Sequence, residues 1–173
     1  MSARPAIPGA GLELERFLPY RLSVLSNRIS GAIAREYSQR FALGVTEWRV
    51  MAVLGRYPDL SAGEVAQRTA MDKVAVSRAV ASLLESGRLQ RDIHGDDRRR
   101  SVLRLSPAGH AIYDEVAPLA LAFERTLLGD MDAGERALLF RLLDRLDELE
   151  LQAESTPARC SAHADSGSVA AMP

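Results

Sequence analysis

The sequence has few of the features that mark secreted, membrane-spanning or disulfide-stabilised proteins. Its 173 residues include one cysteine, Cys160, so no intrachain disulfide can form and a reducing compartment is the simplest interpretation. No window approaches the roughly 18 consecutive apolar residues of a membrane-spanning helix. The opening segment MSARPAIPGAG lacks the apolar core of a secretion signal. These absences predict a cytoplasmic protein without a membrane partner.

The sequence also lacks the common motifs of catalysis and metal binding. It has no glycine-rich phosphate loop, no paired-carboxylate pattern and no nucleophile motif. The three histidines, His94, His110 and His163, show no spacing typical of zinc ligands. We therefore predict no catalytic residues, no metal site and no cofactor, and we expect the protein not to be an enzyme.

The small net charge of −1 conceals a separation of charge along the chain. Residues 73–104 carry eight basic and four acidic side chains, a local net charge of +4. Residues 129–151 carry seven acidic and three basic side chains, a net charge of −4. A phosphate backbone would be attracted to the first segment and repelled by the second, so any nucleic-acid surface must be local.

Apolar residues spaced three and four apart predict a mostly helical domain over residues 12–151, between a flexible N-terminus (1–11) and a disordered tail (152–173). The first helix has an apolar stripe formed by Leu22, Leu25, Ile29, Ile33 and Tyr37. A second helix is predicted from Thr46 to Arg56. A capping box of Ser61 and Glu64 opens a short third helix. A fourth is predicted from Asp72 to Ser86, with Gly87 as its stop.

The period then changes from helical to two residues. The segments RLQRDI and SVLRLS alternate apolar and polar residues, which predicts a β-hairpin. Ser106 and Pro107 suit the start of a fifth helix that runs toward Leu128, with Pro118 as a kink, and Asp132 with Glu135 opens a leucine-rich sixth. The fold class is therefore mostly α (α+β), a winged helix-turn-helix whose DNA-binding lobe spans about residues 46–106.

The fourth helix and the hairpin hold the candidate DNA-binding residues. The N-terminal residues of a recognition helix face base edges in the major groove, and an arginine can enter a narrow minor groove. The candidates are Lys73, Val74, Ala75, Ser77 and Arg78 on the helix, and Arg98, Arg99 and Arg100 at the hairpin tip. The alternative for the three adjacent arginines is an ordinary solvated loop.

Three motifs in this region resemble the MarR family of bacterial transcription regulators. They are VSRAVASLLESG in the fourth helix, DDRRR in the hairpin and LSPAG at the start of the fifth helix. The resemblance extends over roughly residues 12–151. It implies a homodimer bound to double-stranded DNA at a pseudo-palindromic operator, with the first, fifth and sixth helices at the dimer interface. It also implies a small effector, often an aromatic or phenolic acid, bound between that region and the DNA-binding lobe.

The residues themselves support the dimer and suggest an effector site. Leucines on more than one side of the last helix need a covering surface, which a twofold partner would supply; the alternative is that both rows pack within one subunit. Six residues lie in segments that would border the family's cleft, where an arginine with aromatic neighbours could hold an aromatic carboxylate: Tyr20, Arg21, Trp48, Arg49, His110 and Tyr113. For each, the alternative is a role in packing or in a surface ion pair.

Two other functions compete with a ligand-responsive DNA-binding repressor. A winged-helix protein-interaction module would dock the arginine tip on an acidic partner, without sequence-specific DNA binding. A small helical enzyme is the least supported hypothesis, because no residue pattern assigns catalytic roles.

Overall fold

The computed structural model describes residues 11–93 and 101–149 of the chain. Within them it has six helices and one two-stranded antiparallel sheet, so the predicted fold class is confirmed. The elements are α1 (Leu18–Phe41), α2 (Val45–Arg56), α3 (Ala62–Thr69), α4 (Lys73–Glu85), β1 (Leu89–Ile93), β2 (Ser101–Leu105), α5 (Pro107–Leu127) and α6 (Ala133–Asp147). The predicted N-terminal segment, except Gly11, and the predicted tail lie outside the described residues. The chain divides into two compact units after Gly129.

Capping residues set the helix boundaries where the sequence predicted them. Ser61 and Glu64 form the reciprocal capping box of α3, and Ser106 accepts the Gly109 N–H at the start of α5. Pro107 occupies the first turn of α5. Pro118 lies inside α5, which runs through it as a single helix.

The first unit has one hydrophobic core, built between the helix-turn-helix, the hairpin and the long helices α1 and α5. Its buried members come from every one of these elements. Burying a large apolar side chain stabilises the fold by about 1.5–3 kcal/mol. The buried members are Tyr37, Leu43, Val50, Met51, Leu54, Val65, Ala66, Val76, Ala79, Val80, Leu83, Leu89, Leu103, Leu105 and Val116. The core thus fixes α4 against α2, α3 and β1.

An isolated β-bridge joins the hairpin to Leu60, which lies just before α3. Strands β1 and β2 pair in antiparallel register from Leu89 opposite Leu105 to Ile93 opposite Ser101. Leu103 of β2 also forms an antiparallel bridge with Leu60, and its N–H donates to the Leu60 carbonyl at 2.8 Å. The base of the hairpin is therefore held on two sides.

Two predicted apolar surfaces are only partly covered within the described chain. In α1, Tyr37 is buried, but Leu22 and Leu25 of the same stripe are exposed. In the second unit, α6 has no buried residue at all. The leucine-rich helix α6 ends at Asp147, and Glu148 is its C-cap. Among the described residues, no helix is both long enough and apolar enough to span a bilayer.

Candidate nucleic-acid interface

Helix α4 has one face in the core and one face in solvent. Val76, Ala79, Val80 and Leu83 are buried, which holds the helix in place. The polar and cationic side chains Lys73, Ser77 and Arg78 are exposed, and so is Val74, while Ala75 is half-buried. The structure therefore presents the five candidate residues of α4 from its first two turns, the part of a recognition helix that reaches base edges.

The start of α4 is fixed by Asp72. One carboxylate oxygen of Asp72 accepts hydrogen bonds from the N–H groups of Val74 and Ala75, both at 2.9 Å. This is an N-cap, worth about 1 kcal/mol to the helix. It fixes the backbone from which Lys73 and Val74 project.

The end of α4 turns directly into the hairpin. Gly87 has φ +69°, a left-handed conformation that glycine adopts without steric cost. The Gly87 N–H donates to the Leu84 carbonyl, and the Arg88 N–H donates to the Leu83 carbonyl at 2.8 Å. This pair of bonds is a Schellman motif. The recognition helix and the hairpin are thus connected by a defined turn.

A hydrogen bond ties α4 to the start of α2. The Ser82 hydroxyl donates to Glu47 Oε1 at 2.6 Å, and Glu47 Oε2 accepts the Gly44 N–H at 2.7 Å. Glu47, Arg78 and Ser82 also line an open cavity of about 380 Å³ between the two helices. Glu47 therefore links the N-terminus of α2 to the exposed face of the recognition helix.

Two arginines of the basic segment are engaged within the protein. Arg88 donates to the main-chain carbonyls of Phe41 and Ala42 at the end of α1. Arg104 donates from Nε to Asp59 Oδ1 at 3.0 Å and forms an ion pair with Asp92 at 3.3 Å. These guanidinium groups stabilise the base of the hairpin. The net charge of +4 for residues 73–104 therefore overstates the number of cationic side chains that are free to bind phosphate.

The hairpin tip lies outside the described residues. This segment, 94–100, contains Arg98, Arg99 and Arg100, so their contact with DNA stays a prediction from the sequence. Arg91 in β1 is described, and its side chain is exposed.

Three of the candidate effector residues converge between α1, α2 and α5. The Trp48 ring lies 5.8 Å from the Tyr37 ring and 5.9 Å from the Tyr113 ring, centroid to centroid. Arg49 donates to the Ser30 hydroxyl at 2.7 Å and to the Ser26 hydroxyl at 3.4 Å. Trp48 and Arg49 line a cavity of about 170 Å³. Its other lining residues are Ser30, Ile33, Tyr37 and Val45.

The polar groups of this Trp48–Arg49 cavity favour an anionic ligand. Burial raises the pKa of the Tyr37 phenol, and the neighbouring Arg49 guanidinium partly offsets this. The phenol is therefore neutral at physiological pH. The described residues that line this cavity include no carboxylate, and the side chains that accept hydrogen bonds from Arg49 are those of two serines, Ser26 and Ser30. Arg49 thus brings a positive charge to an otherwise neutral, aromatic site.

The other candidate effector residues lie elsewhere. Tyr20 and Arg21 line a separate cavity of about 520 Å³ along the N-terminal half of α1, together with Leu18 and Leu25. His110 is exposed near the start of α5 and lines neither cavity. Within the single chain, the six residues therefore do not line one cavity.

Sequence reasoning missed Ser30 and Tyr37 as members of the Trp48–Arg49 cavity. From the sequence, Tyr37 is included only in the apolar stripe of α1, and Ser30 is not singled out. The available signal is the position of Ser30, which lies three residues before Ile33 and seven before Tyr37 on the same helix face. Among the described residues, no group of three His, Cys, Asp or Glu side chains is arranged to hold a metal ion.

Comparison with known proteins agrees with this geometry. A model of the MarR family matches residues 43–100, from the start of α2 into the hairpin. A solved MarR/EmrR family transcriptional regulator from Acinetobacter sp. ADP1 is 29% identical, with a TM-score of 0.72 over 79% of this chain and 96% of that one.

Two named relatives match shorter segments. The HTH-type transcriptional regulator BilQ of Clostridium symbiosum is 28% identical over 93 residues, 54% of this chain and 65% of BilQ. The HTH-type transcriptional repressor NicR of Pseudomonas putida is 28% identical over 86 residues, 50% of this chain and 54% of NicR. These proteins are transcriptional regulators and not enzymes. With the helix-turn-helix and hairpin described above, the matches show that this chain is similar to the MarR family of winged helix-turn-helix transcription regulators.

Proposed function

We propose that the protein is a homodimeric repressor that binds a pseudo-palindromic DNA operator and releases it when a small aromatic acid binds. The observation that carries this proposal is the exposed face of α4, where Lys73, Ser77 and Arg78 stand free of the core on a helix capped at both ends. Cationic and hydrogen-bonding side chains in that position can meet both phosphate and base edges.

Repression and pairing are supported by separate observations. NicR, a relative, is by its name a repressor. In each compact unit, exposed apolar side chains are of the kind that a twofold partner covers: Leu22 and Leu25 on α1 of the first unit, and Leu142 on α6 of the second. A dimer would place two α4 helices in successive major grooves.

Replacing Arg78 with alanine should weaken binding to the cognate operator more than binding to random DNA. A bidentate arginine–guanine contact contributes about 1–3 kcal/mol of discrimination, so we expect a loss of roughly 5- to 150-fold per half-site. The operator is obtained by selection from a random duplex library, and affinity is measured by fluorescence anisotropy over a salt series.

The matched control is Arg125→Ala, which removes an exposed arginine from the last turn of α5. It should bind the operator like the unmodified protein. Equal losses on both DNAs for Arg78→Ala would remove Arg78 from base readout. An operator affinity that does not change with salt would exclude phosphate contacts, and would favour the protein-interaction module.

The Trp48–Arg49 cavity is the proposed effector site. Its volume of about 170 Å³ suits a single-ring molecule, and the Arg49 guanidinium can pair with a carboxylate while Trp48 and Tyr37 contact the ring. A carboxylate there would compete with Ser30 for Arg49 and so act on the contact between α1 and α2. Because α2 also holds α4 through Glu47, the site is connected to the DNA-binding face.

Benzoic and hydroxybenzoic acids should raise the melting temperature, because a ligand that binds only the native state stabilises it. Arg49→Gln should abolish the rise by removing the charge that pairs with the carboxylate. Arg21→Gln, which changes the other cavity, should leave it intact. The reverse pattern would move the effector site to the N-terminal half of α1. No rise with any aromatic acid would exclude this class of effector.

A further inference from the structure

Val74 is an apolar side chain placed in solvent on the recognition helix. Its exposed fraction is 57%, whereas the other valines of α4, Val76 and Val80, are buried and Leu84 is half-buried. Val74 is not part of the hydrophobic core of the described residues, and it is not among the half-buried residues that pack against that core. A β-branched residue at this exposed site also adds no helix stability relative to alanine.

The surroundings of Val74 indicate what covers it. Lys73 precedes it, and Ser77 and Arg78 follow it by one helical turn on the same exposed face. A surface with two cations and no acid in its first two turns fits a polyanion. In the major groove of DNA, the apolar group on base edges is the C5-methyl of thymine.

We propose that Val74 is a specificity-determining residue that packs against the C5-methyl group of a thymine in each operator half-site. This inference rests on the proposed DNA-binding function and adds a base preference to it. Val74 and Arg78 are four residues apart, or about 6 Å along the helix axis. That distance corresponds to about two base-pair steps of 3.4 Å. The contacted thymine should therefore lie within about two base pairs of the guanine that Arg78 contacts.

The test replaces operator thymines one at a time with deoxyuridine, which pairs identically and lacks only the methyl group. The operator is selected from a random duplex library with the full-length protein. At one thymine position in each half-site, deoxyuridine should weaken binding about fourfold, and about fifteenfold when both half-sites are changed. Deoxyuridine at the remaining positions serves as the internal control.

Two variants connect the methyl effect to Val74. Val74→Ala should lose about the same factor on the thymine operator and become insensitive to deoxyuridine at the responsive position. Val74→Thr keeps one of the two methyl groups and should retain sensitivity. Both substitutions are at an exposed site and leave the Asp72 cap in place, so circular dichroism melting should show folded proteins.

The outcomes separate this inference from the function on which it rests. The role of Val74 is overturned if a sequence is selected but no deoxyuridine weakens binding. It is also overturned if Val74→Ala stays sensitive to deoxyuridine. In both cases the proposed DNA-binding function is retained. If the library yields no preferred sequence, the DNA-binding function and the role of Val74 are overturned together.

Discussion

Replacing Gly109 with alanine should destabilise the protein by about 3 kcal/mol. Gly109 is buried in the first turn of α5, and a Cβ added there would lie 2.0 Å from the Arg88 carbonyl oxygen and 3.5 Å from the Leu105 Cβ. The Arg88 carbonyl cannot simply move away, because it accepts the Ser106 N–H at 3.0 Å. Overpacking of this kind in a rigid site costs about 1–3 kcal/mol, and a backbone clash is at the upper end.

Urea unfolding followed by circular dichroism measures this loss. Gly63→Ala is the matched control, since it makes the same change in α3 where the nearest atom to an added Cβ is Ser61 Oγ at 3.9 Å. That variant should change the free energy of unfolding by less than about 1 kcal/mol, in the stabilising direction if at all. A Gly109→Ala protein as stable as the Gly63→Ala control would show that α5 can shift relative to the hairpin base.

The contacts at the start of α5 give a structural reason for the residues of the LSPAG segment. Ser106 caps α5 and also donates from its hydroxyl to the Gly87 carbonyl at 2.6 Å, which joins α5 to the turn after α4. Pro107 fits a helix start, and Gly109 allows the close approach to Arg88. One of the motifs that carries the family resemblance therefore holds the recognition helix, the hairpin and α5 together.

Local features of this fold could be predicted from the sequence, because they depend on neighbouring residues. The capping box of Ser61 and Glu64 and the turn at Gly87 are set within a few positions of the chain. The exposed face of α4 follows from its helical period, since the residues between the buried positions must point outward.

Long-range partners could not be predicted in this way. Arg88 and Arg104 were counted with the basic surface, but their partners Ala42 and Asp59 are 46 and 45 residues away. Only the family resemblance assigns Trp48 and Tyr113 to one cleft, and in the structure their ring centroids lie 5.9 Å apart. Charge composition counts cations without their partners, so it overestimates the free positive charge.

The double substitution Leu138→Arg with Leu142→Arg should convert the proposed dimer to monomers and weaken operator binding by more than about 100-fold. The two leucines are 48% and 47% exposed and lie one turn apart on α6. They border a shallow apolar cavity of about 260 Å³ with Met131 and Leu139. Two arginines placed there would remain charged and could not be buried against a second copy without partners. A monomer loses the gain of binding two linked half-sites, which is typically 10²- to 10⁴-fold.

Sedimentation velocity measures the oligomeric state, and anisotropy compares a full operator with a single half-site. Half-site affinity should be unchanged, because α4 and the hairpin belong to the other compact unit and keep their own core. Asp144→Arg places an arginine on the polar side of α6 and should leave the dimer intact. A double variant that sediments as a dimer would show that α6 is not the pairing surface. A double variant that also loses half-site affinity would show that α6 supports the fold of the DNA-binding lobe. In that case, the loss of operator binding could not be assigned to dissociation of the dimer.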